Sequence, residues 1–259
     1  MPSVKRAAVV MIDRDGVDGA LARLRAVAEQ HGVELVDGDD ADIAIVLGGD
    51  GTMLRALQRF LGAGVPVIGV NFGRVGFLAS IQQNELESGL ARVFSGDYRV
   101  AQLTTLDVEA GGARATAVND VVVLSSLRGR MIELGWAVGG EDLGVQPCDG
   151  MICSTPSGST AYNLSNGGPV LVRGLDAMAV TFIAAHSLHV RPLVVPRGLD
   201  LEIRNRTPDV SASVLVDGHM LAEVESEAPI AIRLGEQRSL LAVLPEATFF
   251  RRYRESFGS

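Results

Sequence analysis

Cysteine is nearly missing from this chain: only Cys148 and Cys153 occur in 259 residues. With no His or Cys pair around them, they support neither a disulfide framework nor a zinc site and read as reduced, structural thiols. Aromatic residues are scarce too, at 5% against 47% hydrophobic, so the chain must fold around an aliphatic core. Positive charge is in the minority, with 23 Lys and Arg against 31 Asp and Glu and a net charge of -8. That balance argues against nucleic acid as the main partner, because such binding normally needs a basic stripe to replace counterions. A small anionic substrate would need local positive charge instead. Long apolar runs are also absent. The first, residues 7–12, ends at Asp13 and is too short for a signal-peptide core, and nothing approaches the roughly 18–20 residues of a membrane helix. The expectation is a cytoplasmic protein without a membrane partner.

What is present falls into two rhythms. The run at 7–12 reads as a buried parallel strand. Leu21, Leu24, Val27 and Ala28 then recur at helical spacing, and Gly32 closes that segment as a C-terminal cap. A second strand is expected at 43–47, a helical face on Leu54, Leu57 and Leu61, and a third strand at 65–70, giving a βαβαβ order. From about residue 100 short β-rich pieces follow one another, at 106–109, 116–124, 131–138, 178–183, 201–203 and 214–216. Repeats and low-complexity segments are lacking. The organisation expected is an α/β Rossmann-like domain over 1–100, an all-β, sandwich-like domain over 101–235, and a segment 236–259 returning to the first. In that last segment Phe249, Phe250, Tyr253 and Phe257 alternate with Arg251, Arg252 and Arg254 as an amphipathic packing element.

The strongest local signal is Gly48-Gly49-Asp50-Gly51-Thr52, where the second strand ends and a helix begins. Glycines there let backbone approach a polyphosphate and adopt positive φ, and amides at a helix start favour anions. Asp50 is out of place in an anion cradle unless it accepts a proton from an attacking hydroxyl or helps to hold magnesium. The plainer alternative is a tight turn with Asp50 capping the helix. Such a string does not by itself choose among kinase families, since diacylglycerol-type lipid kinases and phosphofructokinases carry similar ones. Asn71-Phe72-Gly73-Arg74-Val75-Gly76-Phe77-Leu78 follows the third strand, at the edge where open α/β sheets bind ligands. Further on come Val118-Asn119-Asp120-Val121 and a long run from Asp149-Gly150 through Ser154-Thr155-Pro156-Ser157-Gly158-Ser159-Thr160-Ala161-Tyr162 to Gly167-Gly168-Pro169.

Together, in this order and spacing, these four motifs resemble those of the NAD kinase family, over most of residues 41–196. The resemblance implies phosphorylation of the 2'-hydroxyl of the adenosine ribose of NAD, or of NADH. ATP, or polyphosphate, would be the donor, and a divalent magnesium ion would arrive with the nucleotide rather than in a protein cage. It implies that Asp50 activates the hydroxyl, that the amides of Gly48, Gly49 and Gly51, with Thr52, face the triphosphate, and that Asn71, Asn119 and Asp120 belong to the binding surface. An amide side chain donates and accepts at one spot, and a carboxylate accepts from ribose hydroxyls. Arg55 and Arg130 fall where the family places basic dinucleotide contacts, although each reads equally as a solvated surface charge. Asp149, Thr160, Ala161, Tyr162 and Ser165 match further binding positions, with the backbone of Asn163 and Leu164; a core role for Tyr162 is the alternative. Ala184, before His186-Ser187-Leu188, and His219 complete the set. Relatives assemble as homodimers or homotetramers, and the 160–165 stretch often completes a neighbour's site.

Departures from the family pattern are also present. Pro147 stands where many relatives have Arg and carries neither charge nor amide hydrogen. His219 replaces the usual Gln, Ser157 a common Thr, and His189-Val190 a more polar pair, while a short loop at 13–16 compresses the early segment. They bear on NAD against NADH rather than on the reaction. Two other functions compete: a lipid kinase sharing GGDGT, which would lack the later motifs, and an NAD(H)-binding sensor without catalysis, against which Asp50 argues.

Overall fold

A computed structural model describes residues 1–11, 17–72, 76–187 and 189–258. Ile12, the last residue of the expected first strand, the expected short loop at 13–16, Gly73-Arg74-Val75 of the second motif, and Leu188 lie outside the described residues. The chain divides into two compact units, one formed by Met1–Gln102 with Arg238–Ser259 and the other by Leu103–Gln237.

In the first unit the elements run β1 (Arg6–Met11), α1 (Val17–His31), β2 (Glu34–Val36), β3 (Ile43–Leu47), α2 (Asp50–Arg59), β4 (Val67–Asn71), β5 (Ile81–Gln82), α3 (Leu86–Phe94) and β6 (Arg99–Leu103). A late strand, Ser239–Val243, and a closing helix, Phe249–Phe257, complete it. The sheet order is β2-β1-β3-β4, then the late strand, then β6, with β5 also paired to β4. The pairs β1·β2, β1·β3, β3·β4 and β4·β5 are all parallel. Strands β3 and β4 are solid runs of buried residues, as strands covered on both faces must be. Helix α2 corrects its expected face. Its buried stripe is Thr52, Met53, Ala56 and Leu57, Leu54 is half-buried, and Leu61 lies beyond its end.

The second unit consists, among the described residues, of antiparallel strands with short helical turns. In chain order they are β7 (Leu106–Ala110), β8 (Ala113–Ala117), β9 (Asp120–Ser125), β10 (Ile132–Val138), β11 (Glu141–Cys148), β12 (Gly150–Ser154), the turn α4 (Tyr162–Ser165), β13 (Ala177–Ile183), β14 (Leu193–Pro196), β15 (Leu201–Asn205), β16 (Ala212–Val216), β17 (His219–Val224) and β18 (Pro229–Leu234). They make two six-stranded sheets, β11-β10-β15-β18-β7-β8 and β14-β13-β12-β9-β16-β17. Inward side chains of both, such as Leu106, Leu134 and Ile230 from one and Val121, Met151 and Val180 from the other, form one aliphatic core, which makes this unit a β-sandwich. The late strand of the first unit is β19 and its closing helix α5 in this order. Residues 116–124, expected to form one strand, instead end β8 and begin β9, which belong to different sheets. The chain changes sheets at Val118-Asn119.

Candidate active site

In the first unit, β3 and β4 run parallel with Leu47 beside Val70, so Gly48 to Asp50 and the buried Asn71 share one sheet edge. The amide of Gly48 donates to the Val70 carbonyl at 3.1 Å. A correction applies to the glycines. None of Gly48, Gly49 or Gly51 adopts positive φ; Gly49, just before α2, has φ -98° and ψ -170°. What Gly48 provides is room: a Cβ there would come within 2.6 Å of Oγ1 of the buried Thr52, whereas Gly49 and Gly51 face open space. No side chain caps α2, which leaves its start open to an anion. Arg55 is exposed on this helix, five residues after Asp50.

Asp50 does not cap its own helix. Its carboxylate accepts from the backbone amides of Phe77 at 2.8 Å and Leu78 at 3.2 Å. Gly76 permits that approach, because a Cβ on it would fall on the Asp50 carboxylate, well inside van der Waals contact. The second motif thus acts as a clamp on the first, a role that sequence reading had not given it.

In the second unit, the sheet-switching segment carries Asn119 and leads into Asp120, the first residue of β9. It is fixed by Asp217, a residue missed by the sequence analysis, whose carboxylate accepts from the amides of Val118, Asn119 and Asp120 at 2.8, 2.7 and 3.0 Å. Asp217 adopts the left-handed conformation, φ 47°, before Gly218; the Asp-Gly pair was the available signal. Thr155 holds the segment from the other side, its hydroxyl donating to the Val118 carbonyl and its amide to the Asn119 carbonyl. A Cβ on Gly158 would collide with that same Asn119 carbonyl. Oδ1 of Asn119 is buried without a hydrogen-bond partner among the described protein groups and can accept from a ligand donor.

Burial, and then the charge of Asp217, raise the Asp120 carboxyl to about 7. Near neutral pH it therefore exists in both forms and can donate as well as accept. The folded state binds this proton more tightly than the unfolded chain, so its contribution to stability is present at low pH and lost as pH rises from about 4 to about 7. Asp120→Asn is expected to flatten that loss, which urea unfolding at pH 5 and pH 8 measures directly.

Around the fourth motif, Tyr162 is exposed, contrary to a core role, with Ala161 and Ser165 exposed and Thr160 and Leu164 half-buried. Asn163 is buried and occupied: its amide donates to the Ser159 and Pro169 carbonyls and its Oδ1 accepts from Thr181. Its side chain is therefore not free for a ligand, and its backbone carbonyl already accepts from the amides of Asn166 and Gly168. His219, exposed at the start of β17, lies near Asp217, its ring Nδ1 3.1 Å from the Asp217 carbonyl.

The structure does not gather every candidate at one place. Asp120 pairs with Ser154, and Val121 with Val216, so Asn119, Asp120, the turn after β12 and the Asp217 turn share one end of their sheet. Asp149 donates its amide to Ile183, next to Ala184, at the opposite end, towards which β9 also leads before the turn bearing Arg130. Arg130, Asp149 and Ala184, all exposed, thus lie about one strand length, roughly 17 Å, from Asp120. Among the described residues no cluster of three or more His, Cys, Asp or Glu side chains is placed to hold a metal. Both cysteines are buried and free, and burial pushes both thiols up. No described helix is long and apolar enough to cross a membrane.

Comparison with known proteins agrees with this geometry. The model of the ATP-NAD kinase N-terminal domain matches residues 6–98, and that of the ATP-NAD kinase C-terminal domain matches residues 118–243. An NAD kinase of Gemmatimonas aurantiaca is 34% identical over 235 residues, covering 88% of this chain and 81% of that protein. Among solved structures, an NAD kinase from Archaeoglobus fulgidus in complex with ATP superposes with a TM-score of 0.80 at 27% identity, covering 98% of this chain and 97% of that one. The fold is also that of yeast NADH kinase complexed with NADH, with a TM-score of 0.86 at 19% identity, covering 99% of this chain and 88% of that one.

Proposed function

This chain belongs to the ATP-NAD kinase family, and from that premise we propose that it transfers the γ-phosphoryl group of ATP to the 2'-hydroxyl of the adenosine ribose of NAD. The observation that carries the assignment of roles is Asp50, a carboxylate at the open start of α2, clamped by two backbone amides. The ribose oxygen attacks the γ-phosphorus, the bond to the β,γ-bridging oxygen breaks, ADP leaves, and the hydroxyl proton passes to Asp50. A carboxylate is a weak base at neutral pH, but phosphoryl transfer depends mostly on positioning and charge stabilisation, so orienting the hydroxyl suffices. At the start of α2 the amides of Gly49 and Gly51 face the triphosphate, whereas those of Gly48 and Thr52 already donate to the Val70 and Gly49 carbonyls, so Thr52 has only its hydroxyl to offer; magnesium arrives with ATP as part of the substrate. Asn119 and Asp120 contact the dinucleotide: the unpartnered Oδ1 of Asn119 accepts, and Asp120, titrating near neutrality, does either.

The separation of Arg130, Asp149 and Ala184 from Asn119 and Asp120 supports a homodimer or homotetramer in which one copy's group serves its neighbour's substrate. We place the enzyme in the cytoplasm, where NAD and ATP are both available. The test incubates purified protein with NAD, ATP and magnesium and follows NADP with an NADP-specific dehydrogenase. NADP accumulation is expected; its absence with ATP and polyphosphate alike contradicts the assignment. Running NADH in parallel reads the redox preference on which Pro147 and His219 bear.

A further inference from the structure

The Asp50 clamp is itself held from behind. Residues 76–79 carry the two amides that bind Asp50, yet they belong to no strand or helix. The C-terminal helix α5 grips this strap at two points. Arg252, buried at 7% exposure, donates to the Ala79 carbonyl at 2.6 Å, one residue beyond Leu78. The ring of Phe77 stacks on Phe257, with centroids 5.7 Å apart, and tilts against Phe249 at 6.2 Å. Phe249, Tyr253 and Phe257 lie four residues apart, one stripe of the helix, and Tyr253 braces Phe257 edge-on at 5.1 Å. Thr248 caps the helix by accepting from the Arg251 amide, fixing where the stripe begins.

Two features separate this arrangement from ordinary packing. Phe257 and Tyr253 remain about two-fifths exposed, so the rings add little to the core of the unit. Arg252 is a charged group taken out of water to bond one carbonyl of an irregular segment, with Glu255 3.7 Å away as a partly exposed companion. Burying a guanidinium is costly, and its hydrogen bond fixes a donor-acceptor geometry tightly. The geometry points to α5 as the device that sets the height and direction of the Phe77 and Leu78 amides, and through them the Asp50 carboxylate. We infer that Arg252 and Phe257 are positioning residues for phosphoryl transfer, acting through a strap of four residues. This rests on the assignment of Asp50 as the group that receives the hydroxyl proton.

The test uses the full chain and four variants at α5, with Asp50→Asn in parallel. Arg252→Met removes the donor and keeps the stem, while Arg252→Lys keeps a donor; Phe257→Ser removes the ring, while Phe257→Tyr keeps it. Misplacing a reacting group by about an ångström costs up to roughly 100-fold. Arg252→Met and Phe257→Ser are therefore expected to lower kcat by about 10-fold or more, with KM for NAD and ATP within about threefold, and the Lys and Tyr variants to recover most of it. Amide hydrogen exchange at Phe77 and Leu78 should speed up in the first two variants and not in the second two. If Asp50→Asn is inactive but Arg252→Met and Phe257→Ser keep kcat within twofold per folded molecule, the inference is overturned. If activity falls only in proportion to the folded fraction, it is overturned too. If Asp50→Asn turns over like the wild type, the role of Asp50 falls first and the inference with it.

Discussion

Replacing Asp50 by Asn is expected to reduce kcat by about 100- to 10,000-fold, the range for losing a positioned acid-base group. The dissociation constant for NAD should stay within about threefold. Asn keeps the size of the side chain and one oxygen that can still accept from the Phe77 or the Leu78 amide, so half of the clamp persists while the other amide loses its acceptor. It cannot take the ribose proton. Kinetics separates the two roles open to this residue: a loss confined to kcat marks an interaction made in the transition state, whereas a large rise in the NAD dissociation constant with a modest loss of rate marks a binding contact.

The second large effect is expected at a residue with no side chain. In Gly76→Ala the new methyl group would occupy the place of the Asp50 carboxylate, and one of the two must move. Overpacking of this kind costs about 1–3 kcal/mol of stability, which thermal unfolding reads as a modest fall. The catalytic cost is larger, because the carboxylate is displaced from both amides at once; a loss of roughly 100-fold in kcat is expected. A double-mutant cycle checks the cause. With Asp50 already changed to Ala, adding Gly76→Ala should cost almost no further activity, because the group that the methyl displaces is gone. Full additivity of the two losses would mean that Gly76 acts elsewhere.

Much of the first unit was legible because its signals are local. The five-residue run 43–47 is β3 with the same bounds, since a strand buried on both faces must be apolar throughout. Helix α3 was overlooked although Leu86, Leu90, Val93 and Phe94 mark one face, because Gly89 breaks the pattern; the structure uses that glycine to seat Ile81. Strand β11 was hidden by Gly144 and Pro147, residues tolerated because it lies at a sheet edge.

The site followed the same division. Motifs singled out Asp50 in the first unit and Asn119 and Asp120 in the second, but not the groups that hold them. Asp217, about a hundred residues beyond Asn119, and Arg252, about two hundred beyond Asp50, carry no motif that points to their partners. Their tasks are hydrogen bonds to backbone groups, which almost every residue type offers, so no pairing of side-chain types marks the partner, even where Asp217-Gly218 marks a turn. The split of Arg130, Asp149 and Ala184 from the other candidates was equally invisible, since sequence order cannot say to which end of an antiparallel sheet a turn belongs.

The most direct measurement is phosphorus NMR of the purified protein with ATP, magnesium and NAD, followed through time. The γ-phosphate signal of ATP is expected to decline while a phosphomonoester signal on the adenosine ribose of NAD grows in step with ADP, and Asp50→Asn is expected to abolish both changes. ADP formation accompanied only by inorganic phosphate, or ATP and NAD that persist together unaltered, would contradict it.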